Sequence, residues 1–141
     1  IEYNVRMGDP ECQVIMPRLK TDLVKLLKAS VDNKLSKVKI KWRQKKCMTI
    51  VLCAKGYPTK NITNNQIDLK ATRLSKYSFI FHASTKIKNN LLFSNGGRVL
   101  NIVVLGNSFL NIRNQIIKIL KSINWKHGFF RSDIGWRVVK K

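Results

Sequence analysis

Glu2, Asn4 and Arg6 occupy every second position of the opening segment Ile1-Glu2-Tyr3-Asn4-Val5-Arg6. In an extended chain successive side chains alternate between faces, so these three polar groups share one face. A carboxylate and an amide oxygen are hard ligands that suit Mg²⁺. That ion takes one or two protein oxygens and completes its shell with water and substrate phosphates. Arg6 continues the same face, where its planar fork fits a phosphate oxygen. The turn Met7-Gly8-Asp9-Pro10 then brings Asp9 and Glu11 nearby. A metal, an arginine and an acid side by side make a platform for phosphoryl transfer. The plain alternative is a strand with a solvated polar face followed by an ordinary Gly-Pro turn, and the residue types alone leave both open.

The elements that would position these groups follow from periodicity and punctuation. Residues 1–6 read as a strand and 7–10 as a turn. A short helix is expected near 12–19. Thr21 is the expected N-cap of the next helix, with Asp22 in its first turn and Leu23, Leu26, Leu27 and Val31 as its apolar stripe. Residues 38–42 alternate Lys with apolar side chains, as a half-buried strand does, and 47–53 read as a second, more buried strand. Gly56-Tyr57-Pro58 ends it, and a polar loop runs to Asn65. Further strands are expected over 77–82, 91–94 and 99–105, with Asn95-Gly96-Gly97 as a turn. Ser108 then caps a helix whose face is Ile112, Ile116, Ile119, Leu120 and Ile123. Strands followed by a helix and short pieces predict an α+β fold.

With 141 residues, 44% of them hydrophobic, the chain is long enough for one domain or part of a larger one. No apolar run approaches the roughly 20 residues needed to cross a bilayer, and no signal-peptide pattern is present. The chain opens in the middle of a strand pattern rather than on Met, so upstream sequence is expected. Cys12, Cys47 and Cys53 form no paired spacing for zinc and read as reduced thiols of a cytoplasmic protein. The net charge of +21 attracts anionic partners in general. Lysines outnumber arginines 20 to 8 and are scattered from Lys20 to Lys141. A/T-rich codons favour Lys, Asn and Ile alike, and a solvated surface is preferred here over a nucleic-acid groove. The competing reading is a basic nucleic-acid-binding module, but the chain lacks an aromatic-rich stretch to stack bases.

The string Glu2-Tyr3-Asn4-Val5-Arg6-Met7-Gly8-Asp9-Pro10-Glu11-Cys12-Gln13 resembles the signature segment of the phosphoribosylamine–glycine ligase (glycinamide ribonucleotide synthetase) family, within the ATP-grasp superfamily. Met7 departs conservatively, since the family carries Phe or Leu there. Pro17 to Leu27, Gly56-Tyr57-Pro58, Phe81-His82-Ala83-Ser84-Thr85-Lys86, Gly96-Gly97-Arg98-Val99-Leu100 and Asp133-Ile134-Gly135-Trp136-Arg137 are similar to family blocks in the same order. Several ordered matches are far more specific than any one of them.

The resemblance implies the end of an ATP-grasp domain over 1–35, then a small mixed-sheet carboxy-terminal domain with a packed helix over 36–141, closing over the sugar-phosphate substrate. It implies ATP-dependent joining of 5-phosphoribosylamine to glycine through an acyl phosphate, in purine biosynthesis. Glu2 and Asn4 would then be ligands for Mg²⁺, or Mn²⁺ in its place. Arg6 would steady the transferring phosphate and Asp9 would lie near glycine or phosphoribosylamine. Lys86 and Arg98, each beside a turn, are candidates for the substrate phosphate, and Arg98 follows two glycines, which let backbone amides approach an anion. His82 reads as a hydrogen-bonded structural histidine, and Trp42 and Trp136 as packing residues. An amino-terminal part with most of the ATP site is implied as the partner, so the chain alone is expected not to turn over. No membrane and no specific nucleic acid are expected as partners.

Overall fold

The computed structural model of this chain describes residues 5–139. The expected metal ligands Glu2 and Asn4 lie outside those residues. Val5 and Arg6, which were to end the first strand, form a bend.

The chain is α+β, with every strand pairing antiparallel. Its centre is a four-stranded sheet in the order β3-β6-β1-β7. Here β1 is Lys46–Ala54, β3 Ser78–His82, β6 Arg98–Gly106 and β7 Gly128–Phe129. A second sheet of three short strands has the order β2-β5-β4, from β2 (Gln66–Ile67), β4 (Thr85–Lys88) and β5 (Leu91–Ser94). Asn89 and Asn90 join β4 to β5 with φ of 50° and 59°. Positive φ at both central residues matches the twist of a two-residue hairpin, and Asn tolerates it.

β1 and β6 run side by side from Lys46↔Gly106 to Leu52↔Leu100, with an irregularity before Cys53↔Arg98. Met48, Ile50, Leu52 and Ala54 are buried in alternation along β1. They face α3 (Phe109–Ser122), which lays Ile112, Ile116, Ile119 and Leu120 onto the sheet as the 3.6-residue period requires. Ser108 stands at its N-cap with extended backbone, but its side chain makes no capping bond. β6 is buried from Val99 to Leu105, on both faces. Two strands flank it, α3 covers one face, and the amino-terminal segment covers the other.

That segment holds α1 (Cys12–Ile15), a 3-10 turn over Met16–Arg18, α2 (Leu23–Val31) and a 3-10 turn over Leu35–Lys37. Asp22, rather than Thr21, caps α2, its carboxylate accepting from the amides of Val24 at 2.8 Å and Lys25 at 3.2 Å. Thr21 Oγ1 instead accepts from the Lys41 amide at 2.7 Å. The α2 stripe is only partly covered: Leu23 and Leu26 are half-buried, while Leu27 and Val31 stay exposed. The strand expected over 38–42 does not form. Among the described residues its one ladder contact is the isolated Leu19–Trp42 bridge, and Ile40 and Trp42 stay exposed. Alternation makes a strand only where a neighbouring strand accepts its backbone and covers one face, and among the described residues none lies there. The tail adds a short α4 (Trp136–Val139).

Candidate functional site

Asp9 is the meeting point of the site. It lies on the sheet face opposite α3, the face carrying Cys47, Thr49, Val51, Asn101 and Val103. Arg98 Nη1 donates to the Asp9 carbonyl at 2.8 Å and lies 3.5 Å from Asp9 Oδ2. Gln13 Nε2 donates to Asp9 Oδ1 at 2.7 Å, and Asn101 Nδ2 approaches the same oxygen at 3.5 Å. The turn itself is compact. The peptide bond Asp9–Pro10 is cis, and the Cys12 amide donates to the Gly8 carbonyl at 2.8 Å. A Cβ on Gly8 would fall 1.3 Å from Glu11 Oε2, so the Glu11 side chain folds back over the space that glycine leaves.

Asn101 is the surprise of this patch. It is fully buried within the otherwise apolar stretch Val99–Leu105. Its Oδ1, together with Gln13 Oε1 and Thr49 Oγ1, has no partner among the described residues. A buried acceptor left unpaired costs about 1–3 kcal/mol, so polar groups gathered here mark a place where something other than packing is served. Neither Asn101 nor Gln13 was among the expected site residues. The legible signals were an amide in an apolar strand and a Gln four residues after Asp9, one helical turn away.

Beside the turn lies a cavity of about 420 Å³. Pro10, Thr49, Val51 and Cys53 line it, with Tyr57, Phe129, Phe130 and Ile134, and the two cations Arg98 and Arg131. Arg131 forms a two-pronged pair with Asp133 at 3.0 and 2.6 Å. That pairing holds the Asp133 carboxyl below its ordinary range. Arg113, from α3, donates to the carbonyls of Ser132 and Ile134 and fixes the tail that carries this wall.

Lys86 does not join Asp9 and Arg98. It sits on β4 in the smaller sheet, where Nζ donates to Asn64 Oδ1 at 2.5 Å, beside a different cavity of about 350 Å³. The glycine turn before Arg98 is tightly filled: a Cβ would fall 2.3 Å from Ser84 Oγ at Gly96 and 2.1 Å from the Tyr57 ring at Gly97. These glycines admit neighbouring side chains. His82 shares a hydrogen bond with Thr85 Oγ1 at 2.9 Å. Trp42 and Trp136 are 42% and 46% exposed, whereas Trp125 is the tryptophan of the core. Among the described residues no group of three or more His, Cys, Asp or Glu side chains is arranged to hold a metal, and no helix is long and apolar enough to cross a membrane.

The three cysteines are free and half-buried. Burial pushes the Cys47 thiol up to about 11 from 9.0, against the opposing pull of Arg18. Burial likewise raises Cys53. Because the folded value of Cys47 is raised, its contribution to stability is complete below pH 9 and is lost as pH rises from 9 towards 11. At pH 8, Cys47 is expected to react with iodoacetamide about 100-fold more slowly in the folded chain than in urea, since the thiolate is the nucleophile. Peptide mass mapping after timed alkylation measures this, and equal rates would contradict it.

An antiparallel sheet backed by one long helix, with a polar turn pinned to its other face, defines the class. The pattern described as "Phosphoribosylglycinamide synthetase, C domain" matches residues 47–137. The chain belongs to this family. Over its whole length it is 41% identical to a phosphoribosylamine–glycine ligase of Brucella melitensis, of which it covers 33%. It is 43% identical to the protein of that name from Mesorhizobium japonicum, again covering 33%. It is 38% identical to the chloroplastic one of Arabidopsis thaliana, covering 27%. The crystal structure of phosphoribosylamine–glycine ligase from Thermotoga maritima superposes with a TM-score of 0.70 at 27% identity, over 94% of this chain and 32% of that one. The chain thus spans about a third of the length of the bacterial relatives it matches.

Proposed function

We propose that this chain is the carboxy-terminal third of a phosphoribosylamine–glycine ligase and supplies one wall of its active site. The enzyme joins 5-phosphoribosylamine to glycine with conversion of ATP to ADP and phosphate, by way of a glycyl phosphate. One observation carries this reading: the turn that follows Arg6 is held by Arg98 and Asn101 against the central sheet of the domain that defines the family. Arg6, the turn after it and the family domain therefore belong to one structure.

Glu2 and Asn4 offer a carboxylate and an amide oxygen, a donor set that suits Mg²⁺ or Mn²⁺, and these two residues would hold it. When bound, such an ion neutralises phosphate charge. Arg6 is exposed, and its one hydrogen bond within the described residues is a 3.3 Å contact from Nη1 to the adjacent Met7 carbonyl. Its fork is thus available to a phosphate oxygen. A carboxylate is already a competent nucleophile towards phosphorus, so this segment needs no general base. Its work is orientation and charge neutralisation. Arg98 lines the cavity beside the turn, and Lys86, on β4, lines a different one. Residues 1–35 would complete an ATP-grasp domain and 36–141 would form the closing domain of a cytoplasmic enzyme.

The test joins this chain to the amino-terminal two thirds of the Brucella melitensis relative. The joined protein is expected to release phosphate only when both glycine and phosphoribosylamine are present, and the chain alone is expected to release none. Turnover by the chain alone would refute the shared-site reading. A correctly folded joined protein without turnover would refute the ligase reading.

A further inference from the structure

Asp9 and Arg98 are 89 residues apart in sequence and in direct contact in the fold. We infer that Arg98 and Asn101 are positioning residues: from the central strand they lock the Asp9 turn and so set the direction of the segment that carries Arg6. This inference rests on the ligase reading for its catalytic consequence, though not for the lock itself.

The bonding around Asp9 points to a tie rather than a ligand site. Its carbonyl and one carboxylate oxygen face the same Arg98 nitrogen. Its other carboxylate oxygen takes Gln13 and Asn101. The hydrogen-bonding oxygens of Asp9 are therefore engaged by this chain's own side chains. Its anionic charge is also offset by Arg98. An exposed Arg–Asp pair ordinarily adds little stability. The Arg98 and Asp9 side chains are 42% and 41% exposed, so stability alone is a weak reason for the pair.

Asn101 supplies the independent observation. Every other residue from Val99 to Leu105 is apolar and buried, and an apolar side chain would fill position 101 without leaving an unpaired oxygen. An amide there makes sense as a donor aimed at the turn. With Arg98 three residues away on the same sheet face, it fixes Asp9 from two points on β6, and Gln13 closes the third side from α1. The turn can then neither rotate nor lift from the sheet without breaking all of these contacts. A group that must meet a transferring phosphate tolerates little displacement, so such a lock has catalytic weight.

Two measurements test this. The first is hydrogen exchange on this chain. Arg98→Ala is expected to speed exchange of the Cys12 amide and its neighbours in 9–15 by about tenfold or more, with β6 and α3 unchanged, and Arg98→Lys to restore part of the protection. The second is kinetics of the joined ligase. There Arg98→Ala is expected to lower kcat by about 10–100-fold, as loss of an orienting partner does, while KM for phosphoribosylamine moves less than about threefold. Combining it with Asp9→Asn is expected to cost no more than the worse single change, because both break one lock. Unchanged exchange in Arg98→Ala would overturn the lock. A rise in the phosphoribosylamine KM larger than the fall in kcat, multiplying with Asp9→Asn, would instead make Arg98 a substrate ligand. An inactive unsubstituted joined protein would refute the ligase reading alone, and exchange would then decide the lock.

Discussion

Arg6→Ala in the joined ligase is expected to lower kcat about 10²–10³-fold, the range seen when one preorganised donor to developing charge is removed. The chain's melting temperature should barely move. Arg6 is exposed and has no ion pair among the described residues, so its removal leaves no cavity and no orphaned partner there. Arg6→Lys should recover only part of the rate, since an ammonium keeps the charge but not the two-pronged geometry. Phosphate release at saturating glycine, ATP and phosphoribosylamine is the measurement. A loss smaller than about threefold would remove Arg6 from the list of groups that touch the transferring phosphate.

The largest effect on stability is expected at the centre of β6. Ile102 is 0% exposed, pairs with Ile50 on one side and Ile80 on the other, and belongs to the core under α3. Ile102→Ala removes buried methyl groups from a site closed on all sides, where neighbours relax poorly. The expected cost is about 3 kcal/mol, within the 2–5 typical of such truncations. For a domain of this size that lowers the melting temperature by roughly 10 °C. Ile87→Ala is the control. Ile87 is 75% exposed on β4, and its truncation should cost less than about 0.5 kcal/mol. Thermal unfolding of both variants decides the point, and comparable losses would mean that the core is not where the buried strand lies.

β1 and β6 were readable because each carries a long apolar run bounded by Gly or polar residues. α3 was readable because four isoleucines and a leucine recur at helical spacing. The β4–β5 hairpin at Lys88-Asn89-Asn90-Leu91 goes beyond the expected strands, although two Asn between short apolar segments is a turn signal with a mechanism. The segment 38–42 forms no strand because its Lys-apolar alternation is local, whereas strand formation depends on a partner elsewhere in the chain. Thr21 and Asp22 are both good caps. Only the approach of the Lys41 amide, which takes the Thr21 hydroxyl, decides between them.

The candidate site divides the same way. Residue chemistry and order by themselves marked Glu2, Asn4 and Arg6 as candidates for a metal and a phosphate, and the ordered blocks pointed to the family. They also marked Asp9 and Arg98 as polar groups beside turns. Only the tertiary structure decided that Asp9 and Arg98 touch, that Lys86 serves another sheet, and that Asn101 and Gln13 close the cluster. The physical reason is that side-chain chemistry is a property of each residue, whereas proximity across 89 positions is created when strand pairing and helix burial bring distant segments to one sheet face.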